Sequence, residues 1–169
     1  NGPSFSEVEK YVKKYSKEKI VIKCGGKVLL DESLLNSLIE DVAILRRLGL
    51  SVILVHGGGL GIKKKLAEQN IQSKFIMGLR VTDDKMIGIV EDVMINFNKK
   101  IVKALKEKSC KAKSITVKEN NVITVEQENK ELGFVGKPKR VDVKLLKEMI
   151  KEDFVPVITP MGLDSEGNP

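Results

Sequence analysis

A lysine beside paired glycines, a histidine leading three glycines and an arginine between a glycine and an aspartate stand out, because each could meet an anion. Lys23-Cys24-Gly25-Gly26 follows the apolar run Ile20-Val21-Ile22. Without a Cβ on Gly25 and Gly26, backbone amides can approach an anion closely, and Lys23 adds a movable positive charge. Phosphoryl transfer needs such a place, since its catalysis is mostly positioning and charge neutralisation. His56-Gly57-Gly58-Gly59 presents a row of amide donors where a helix should begin, which again favours an anion. It is neither a Walker loop nor the dinucleotide fingerprint, because no Gly-Lys-Ser/Thr follows and the glycine spacing is wrong. His56 is the only histidine. With no acidic orienting partner near it in sequence, it reads as hydrogen-bonded under the loop rather than as a general base. In Gly78-Leu79-Arg80-Val81-Thr82-Asp83, the arginine can fork onto a carboxylate with parallel hydrogen bonds, and Thr82 or Asp83 can cap a following helix.

Taken singly, each motif is better explained as a tight turn or as a surface side chain beside a helix cap. Two glycine clusters at the ends of consecutive strands change that weighting. Both should project to one edge of a sheet, where strand ends of open α/β proteins bind ligands, so that a single anionic group could sit between them.

The elements that must carry these motifs follow from apolar periodicity. Residues 6–18 read as a helix, with Ser6 and Glu9 spaced as a capping box and Phe5, Val8, Val12 and Tyr15 as its apolar stripe. A strand through Ile20-Val21-Ile22 that ends at Gly25-Gly26 precedes a helix at 33–48, which Gly49 should stop, and a second buried strand at 51–55 precedes a helix at 60–69. Residues 75–82 look extended around a turn at Gly78, and Asp83 opens a long helix over 84–107. A strand at 114–117, a hairpin over 121–136 with arms at 122–125 and 132–136, a helix at 142–151 and a strand at 155–158 complete the chain. The alternation predicts an α/β fold with a mainly parallel open sheet sandwiched by helices, plus a β-hairpin.

Composition narrows the function classes. The 169 residues are 41% hydrophobic and 31% charged, which describes an ordinary globular domain. No apolar run approaches membrane-spanning length, and Asn1–Ser6 lack the apolar centre of a signal peptide. Cys24 and Cys110 are far apart and match no metal-ligand pattern, so no metal site is expected and both read as free thiols. The net charge of +7 comes from scattered lysines, and aromatics make up 4% without any Trp. Stacking platforms for single strands are therefore scarce, and nucleic acid is not expected as a partner.

The three motifs in this order resemble the acetylglutamate kinases of the amino-acid kinase family. Asn98-Lys99 in the long helix, Leu132-Gly133-Phe134-Val135-Gly136, Pro156-Val157-Ile158 and Gly162 to Pro169 extend the resemblance over essentially the whole chain. The Gly-Leu-Arg-Val-Thr-Asp segment carries most of its specificity. The resemblance implies phosphorylation of the side-chain carboxylate of N-acetyl-L-glutamate by ATP with Mg2+, in arginine biosynthesis. It implies that Lys23 neutralises the transferring phosphoryl group and that Gly25 and Gly26 contact nucleotide phosphates. Gly57, Gly58 and Gly59 would hold the phosphoryl group and the attacking carboxylate, and Arg80 would pair with the substrate's α-carboxylate. Residues 1–18 would be an oligomerisation helix and 19–169 the acetylglutamate-binding domain, with the nucleotide-binding half lying beyond Pro169, so that this chain alone would be inactive. The resemblance also implies a hexamer, arginine as feedback inhibitor, a nitrogen-signal regulatory protein as partner, and a cytoplasmic or plastid location. Leu60 departs from the proline that many relatives carry there. Other readings are a glutamate, aspartate or carbamate kinase, or a non-catalytic amino-acid sensor on the same half-fold.

Overall fold

The structure, a computed structural model, describes residues 2–16 and 18–169. The chain begins with helix α1 (Phe5–Tyr15), whose N-cap is Ser4. Ser4 and Glu7 form the reciprocal capping box, not Ser6 and Glu9. Both pairs fit the same spacing; the earlier one adds Phe5 and Ser6 to the helix. The helix ends at Tyr15 with Ser16 as its C-cap, short of the expected residue 18, and Lys17 lies outside the described residues.

The sheet is built from β1 (Lys19–Cys24), β2 (Ser51–His56), β5 (Ala112–Ile115) and β8 (Val155–Ile158), in the order β1-β2-β8-β5. All of these pairs are parallel. The last strand in sequence thus sits inside the sheet, and all four of its residues are buried. Parallel strands need crossovers, and these are helices. Helix α3 (Glu32–Arg47) joins β1 to β2, and α5 (Asp84–Glu107) leads into β5. Asp31 and Asp83 cap them by accepting bonds from backbone amides, which explains why both helices start where they do. Gly49, at φ +85°, ends the first of them.

One face of the sheet packs Val52, Leu54 and Val157 against Leu35, Ile39 and Val42 of α3 and Ile101 and Leu105 of α5. The other face packs Ile115 and Ile158 against Leu146 and Met149 of α6 (Val143–Lys151). Helices therefore cover both faces, as the alternation predicts. Helix α4 (Gly59–Glu68) lies on α5 through Ile62, Leu66, Met86 and Met94.

Two hairpins stand off the sheet. The first pairs β3 (Phe75–Ile76) with β4 (Leu79–Arg80). Met77 and Gly78 both have positive φ, +49° and +82°, the twist a two-residue hairpin turn demands. The second pairs β6 (Ile123–Gln127) with β7 (Gly136–Val141). Here the expected second arm at 132–136 is corrected. Lys130–Leu132 form a 3-10 turn, and the strand runs through Lys137-Pro138-Lys139-Arg140 instead. Every residue of β7 is exposed, so no apolar alternation marks it. The first strand stops at Cys24, just before the Gly25-Gly26 pair expected to end it; the strand expected at 114–117 ends at Ile115, and a short helix α2 (Gly26–Leu30) follows β1 where no element was expected.

Candidate functional site

The parallel register brings Lys23 beside Val55 and Cys24 beside His56, so β1 and β2 end side by side. Their glycine segments then touch. A Cβ on Gly26 would lie 3.3 Å from the amide nitrogen of Gly59 and 3.4 Å from backbone atoms of Gly58 and Leu60. Contact this tight between backbones favours glycine at Gly26, since a side chain there would push the second loop back by a few tenths of an ångström. The expectation that both clusters meet at one edge is thus met in the geometry.

The Gly57 amide donates to the Cys24 carbonyl at 2.8 Å, and this bond ties the two loops together. It also commits that donor, so of the three glycines only Gly58 and Gly59 keep a free amide. Helix α4 begins at Gly59, its Gly58 N-cap supplies no side-chain acceptor, and its first amide bond is Ile62 to Gly58. The amides of Gly58, Gly59, Leu60 and Gly61 therefore have no protein acceptor among the described residues. They form an unsatisfied donor row at the positive end of a helix dipole. Leu60 is exposed, and the helix starts here without proline. Lys23 projects from the strand end, exposed and without an ion-pair partner among the described residues.

Arg80 comes to this place from the first hairpin. One guanidinium nitrogen donates to the hydroxyl of Ser73 and the other to the carbonyl of Gly59 at 3.3 Å. The guanidinium also lies 4.8 Å from the centre of the Phe75 ring. Partial burial pushes its pKa below the usual arginine value, yet such a group stays charged at any physiological pH. Sequence reasoning missed Ser73 and Phe75, and no motif could have pointed to them.

Beside Arg80 opens a cavity of about 780 Å³. Arg80, Met94, Phe134, Thr159, Gly162 and Asn168 are among its lining residues. Its wall is held by a close approach of distant segments. Gly133, at φ +66°, sits on Thr82, with Thr82 donating to the Leu132 carbonyl at 3.0 Å and Phe134 to the Thr82 carbonyl at 2.8 Å. A Cβ on Gly133 would overlap the Thr82 carbonyl oxygen. Asp164, also in the lining, accepts from the Asn168 side chain and from the amides of Asn168 and Glu166, which holds its pKa low. Val55 and Ile62 line the cavity on either side of the second glycine loop, but Lys23, Gly25, Gly26 and Gly57 to Gly59 are not in its lining. Among the described residues Arg80 is thus the one arginine in the cavity wall, while the residues of both glycine motifs stay outside the lining.

His56 is 1% exposed, and burial pushes its pKa below the ordinary histidine value. It lies under the loop, bonded to the backbone of Gly57 and to Asn98, as its sequence context predicts. No group of His, Cys, Asp and Glu side chains that could hold a metal occurs among the described residues. A divalent ion arriving with a nucleotide would be held by the phosphates.

Residues 18–168 match the family described as "Amino acid kinase family". The chain is 58% identical over 166 residues to an acetylglutamate kinase of Pelagibacter ubique (strain HTCC1062), covering 98% of this chain and 58% of that one. It is 36% identical over 165 residues to an acetylglutamate kinase of Jannaschia sp. (strain CCS1), covering 97% of this chain and 58% of the relative. The chain therefore spans little more than half the length of these curated relatives. Among solved structures, smu.665 from Streptococcus mutans UA159 superposes with a TM-score of 0.81 at 24% identity, covering 89% of this chain and 61% of that one. N-acetylglutamate synthase from Neisseria gonorrhoeae superposes at 0.80 with 20% identity, covering 98% and 42%. At these identities the superpositions establish the shared fold.

Proposed function

The chain belongs to the amino acid kinase family, and from that premise we propose that it is the acetylglutamate-binding part of an acetylglutamate kinase. The reaction is attack of the N-acetyl-L-glutamate side-chain carboxylate on the γ-phosphorus of ATP. A carboxylate oxygen–phosphorus bond forms, the bond to the β-phosphate bridging oxygen breaks, and ADP leaves with its Mg2+. A carboxylate is already ionised at neutral pH, so no proton has to be removed and His56 is not needed as a base.

In this reading Arg80 forks onto the α-carboxylate inside the cavity, and Gly58 and Gly59 present amides to the phosphoryl group as it passes. Lys23 neutralises charge on the transferring group, and Gly25 and Gly26 approach the nucleotide phosphates. Gly57 contributes by anchoring the loop through Cys24. The observation that carries the reading is the contact of Gly26 with the Gly58–Leu60 backbone beside the Arg80 bond to the Gly59 carbonyl. It gathers the three motifs around one point. The test is ADP release by the full-length enzyme with N-acetylglutamate, glutamate, aspartate or carbamate as acceptor. Turnover confined to N-acetylglutamate is expected; preference for another acceptor would reassign the enzyme within its family.

The same reading extends to assembly. Helix α1 has no buried residue, and Phe5 is 86% exposed. Packing of this stripe onto its own domain, the simplest fate of an amphipathic helix, is not what the structure has. A second copy of the helix is a fitting cover, and this supports residues 1–18 as an oligomerisation segment in a hexamer inhibited by arginine. No described helix is long and apolar enough to cross a membrane. A cytoplasmic location and a nitrogen-signal regulatory partner belong to the same proposal.

A further inference from the structure

A chain of buried hydrogen bonds runs from the middle of the sheet to the glycine loop. The Asn98 side-chain amide, from α5, donates to the Val157 carbonyl of β8 at 2.8 Å. Its oxygen accepts from the Ser114 hydroxyl of β5 at 2.6 Å. Its nitrogen also faces His56 Nε2 at 3.3 Å, and His56 Nδ1 lies 3.1 Å from the Gly57 carbonyl oxygen. Asn98 is fully buried and Ser114 nearly so.

Chemistry settles the proton positions along this chain. A carbonyl can only accept, so the Asn98 atom facing Val157 must be the nitrogen. A flipped amide would set two oxygens against each other. The nitrogen facing His56 then donates, so Nε2 must accept and the ring proton must sit on Nδ1. From there it donates to the Gly57 carbonyl. No cis peptide bond occurs among the described residues. In a trans peptide the carbonyl and the next amide point in opposite directions. Holding the Gly57 carbonyl against His56 therefore turns the Gly58 amide away from the ring. Gly58 is the first member of the donor row without a protein acceptor.

We propose that Asn98 and Ser114 are positioning residues of the phosphoryl-binding loop: they hold His56 as the neutral Nδ1–H tautomer, and His56 aims the Gly58 amide at the anion. An unpinned Gly57–Gly58 peptide could rotate and present its carbonyl, a repulsive dipole, to the same anion. The functional half of this proposal rests on the phosphoryl-transfer reading above; the tautomer does not.

The tautomer is read without substrate. His56 is the only histidine of this chain, and in nitrogen-15 imidazole spectra of the full-length enzyme its ring is identified by the signals lost in His56→Asn. At neutral pH a single Nδ1–H tautomer is expected; an Nε2–H ring or an averaged mixture overturns the proposal. The aiming role is read in the full-length enzyme. His56→Asn places an amide nitrogen where Nδ1 stood and keeps a donor for Gly57, whereas His56→Gln places it at the Nε2 position. His56→Gln should lower kcat roughly 10- to 100-fold, the range expected for a misplaced catalytic group. The KM for N-acetylglutamate should stay nearly constant, and His56→Asn should recover most of the loss. Equal kcat in the two variants overturns the aiming role. If the wild-type enzyme phosphorylates no acidic acceptor, the kinase reading fails while the tautomer result still decides the network.

Discussion

Replacing Arg80 with lysine separates a substrate fork from a surface charge. Lysine keeps the positive charge but loses the planar pair of donors. In the structure those donors already divide between the Ser73 hydroxyl and the Gly59 carbonyl, with the guanidinium against Phe75. A carboxylate entering the cavity would meet a group whose plane is set in advance. A hydrogen bond involving a charged group contributes about 1.5–3 kcal/mol. Losing one arm of the fork then corresponds to about a 10- to 150-fold weaker complex, at 1.4 kcal/mol per tenfold. Stacking on Phe75 is worth about 0.5–1 kcal/mol at a partly exposed site, and a lysine ammonium over the same ring keeps part of it. These contributions are not additive, so the expected rise in KM for N-acetylglutamate is about 10- to 100-fold. The KM for ATP should change little, because Arg80 lines the cavity and the nucleotide contacts are assigned to Gly25, Gly26 and Lys23. The assay is initial-rate ADP release with each substrate varied at saturating levels of the other. An unchanged KM for N-acetylglutamate, or an equal rise for both substrates, would refute the fork.

Lys23→Ala should lower kcat roughly 100-fold or more through loss of a transition-state charge contact. Its melting temperature should hold, because Lys23 is exposed and unpaired among the described residues. Gly133→Ala should destabilise the fold by about 1–3 kcal/mol or more in denaturant titration, since the residue sits at φ +66° with its Cβ direction filled by the Thr82 carbonyl; normal stability would mean that the cavity wall yields. Burial lowers the His56 pKa below its ordinary 6.5, so the unfolded chain takes up a proton first as pH falls. That favours unfolding below about pH 6.5 and leaves stability untouched above it; comparing wild type with His56→Asn between pH 7 and pH 5 isolates this contribution. Deleting residues 1–18 should convert hexamers to dimers and abolish arginine inhibition while sparing catalysis, and hexamers in sedimentation of the truncated enzyme would count against α1 as the oligomer contact.

Much of the architecture was legible because its determinants are contiguous. Helix α5 begins where Asp83 accepts its first amides and ends within the predicted span, and both features belong to neighbouring residues. Strand β8 is four consecutive buried residues, Val155-Pro156-Val157-Ile158, and reads as such. The glycine motifs likewise declare themselves, since backbone approach to an anion requires the missing Cβ wherever the loop lies. Strand β7 did not declare itself: exposed on every residue, it has no alternation, and its place follows from backbone pairing with β6.

What only the tertiary structure decided are the partnerships between residues remote in sequence. That the last strand enters between β2 and β5 determines where the Val157 carbonyl sits, and with it the orientation of Asn98 and the proton on His56. The donation from Gly57 to Cys24 takes one glycine out of the expected set of anion donors. The contact of Arg80 with Gly59 joins two motifs that the sequence could only set side by side. Apolar period and capping are local and survive in a linear reading. Hydrogen-bond commitments across a sheet depend on strand order and register, which no local pattern encodes.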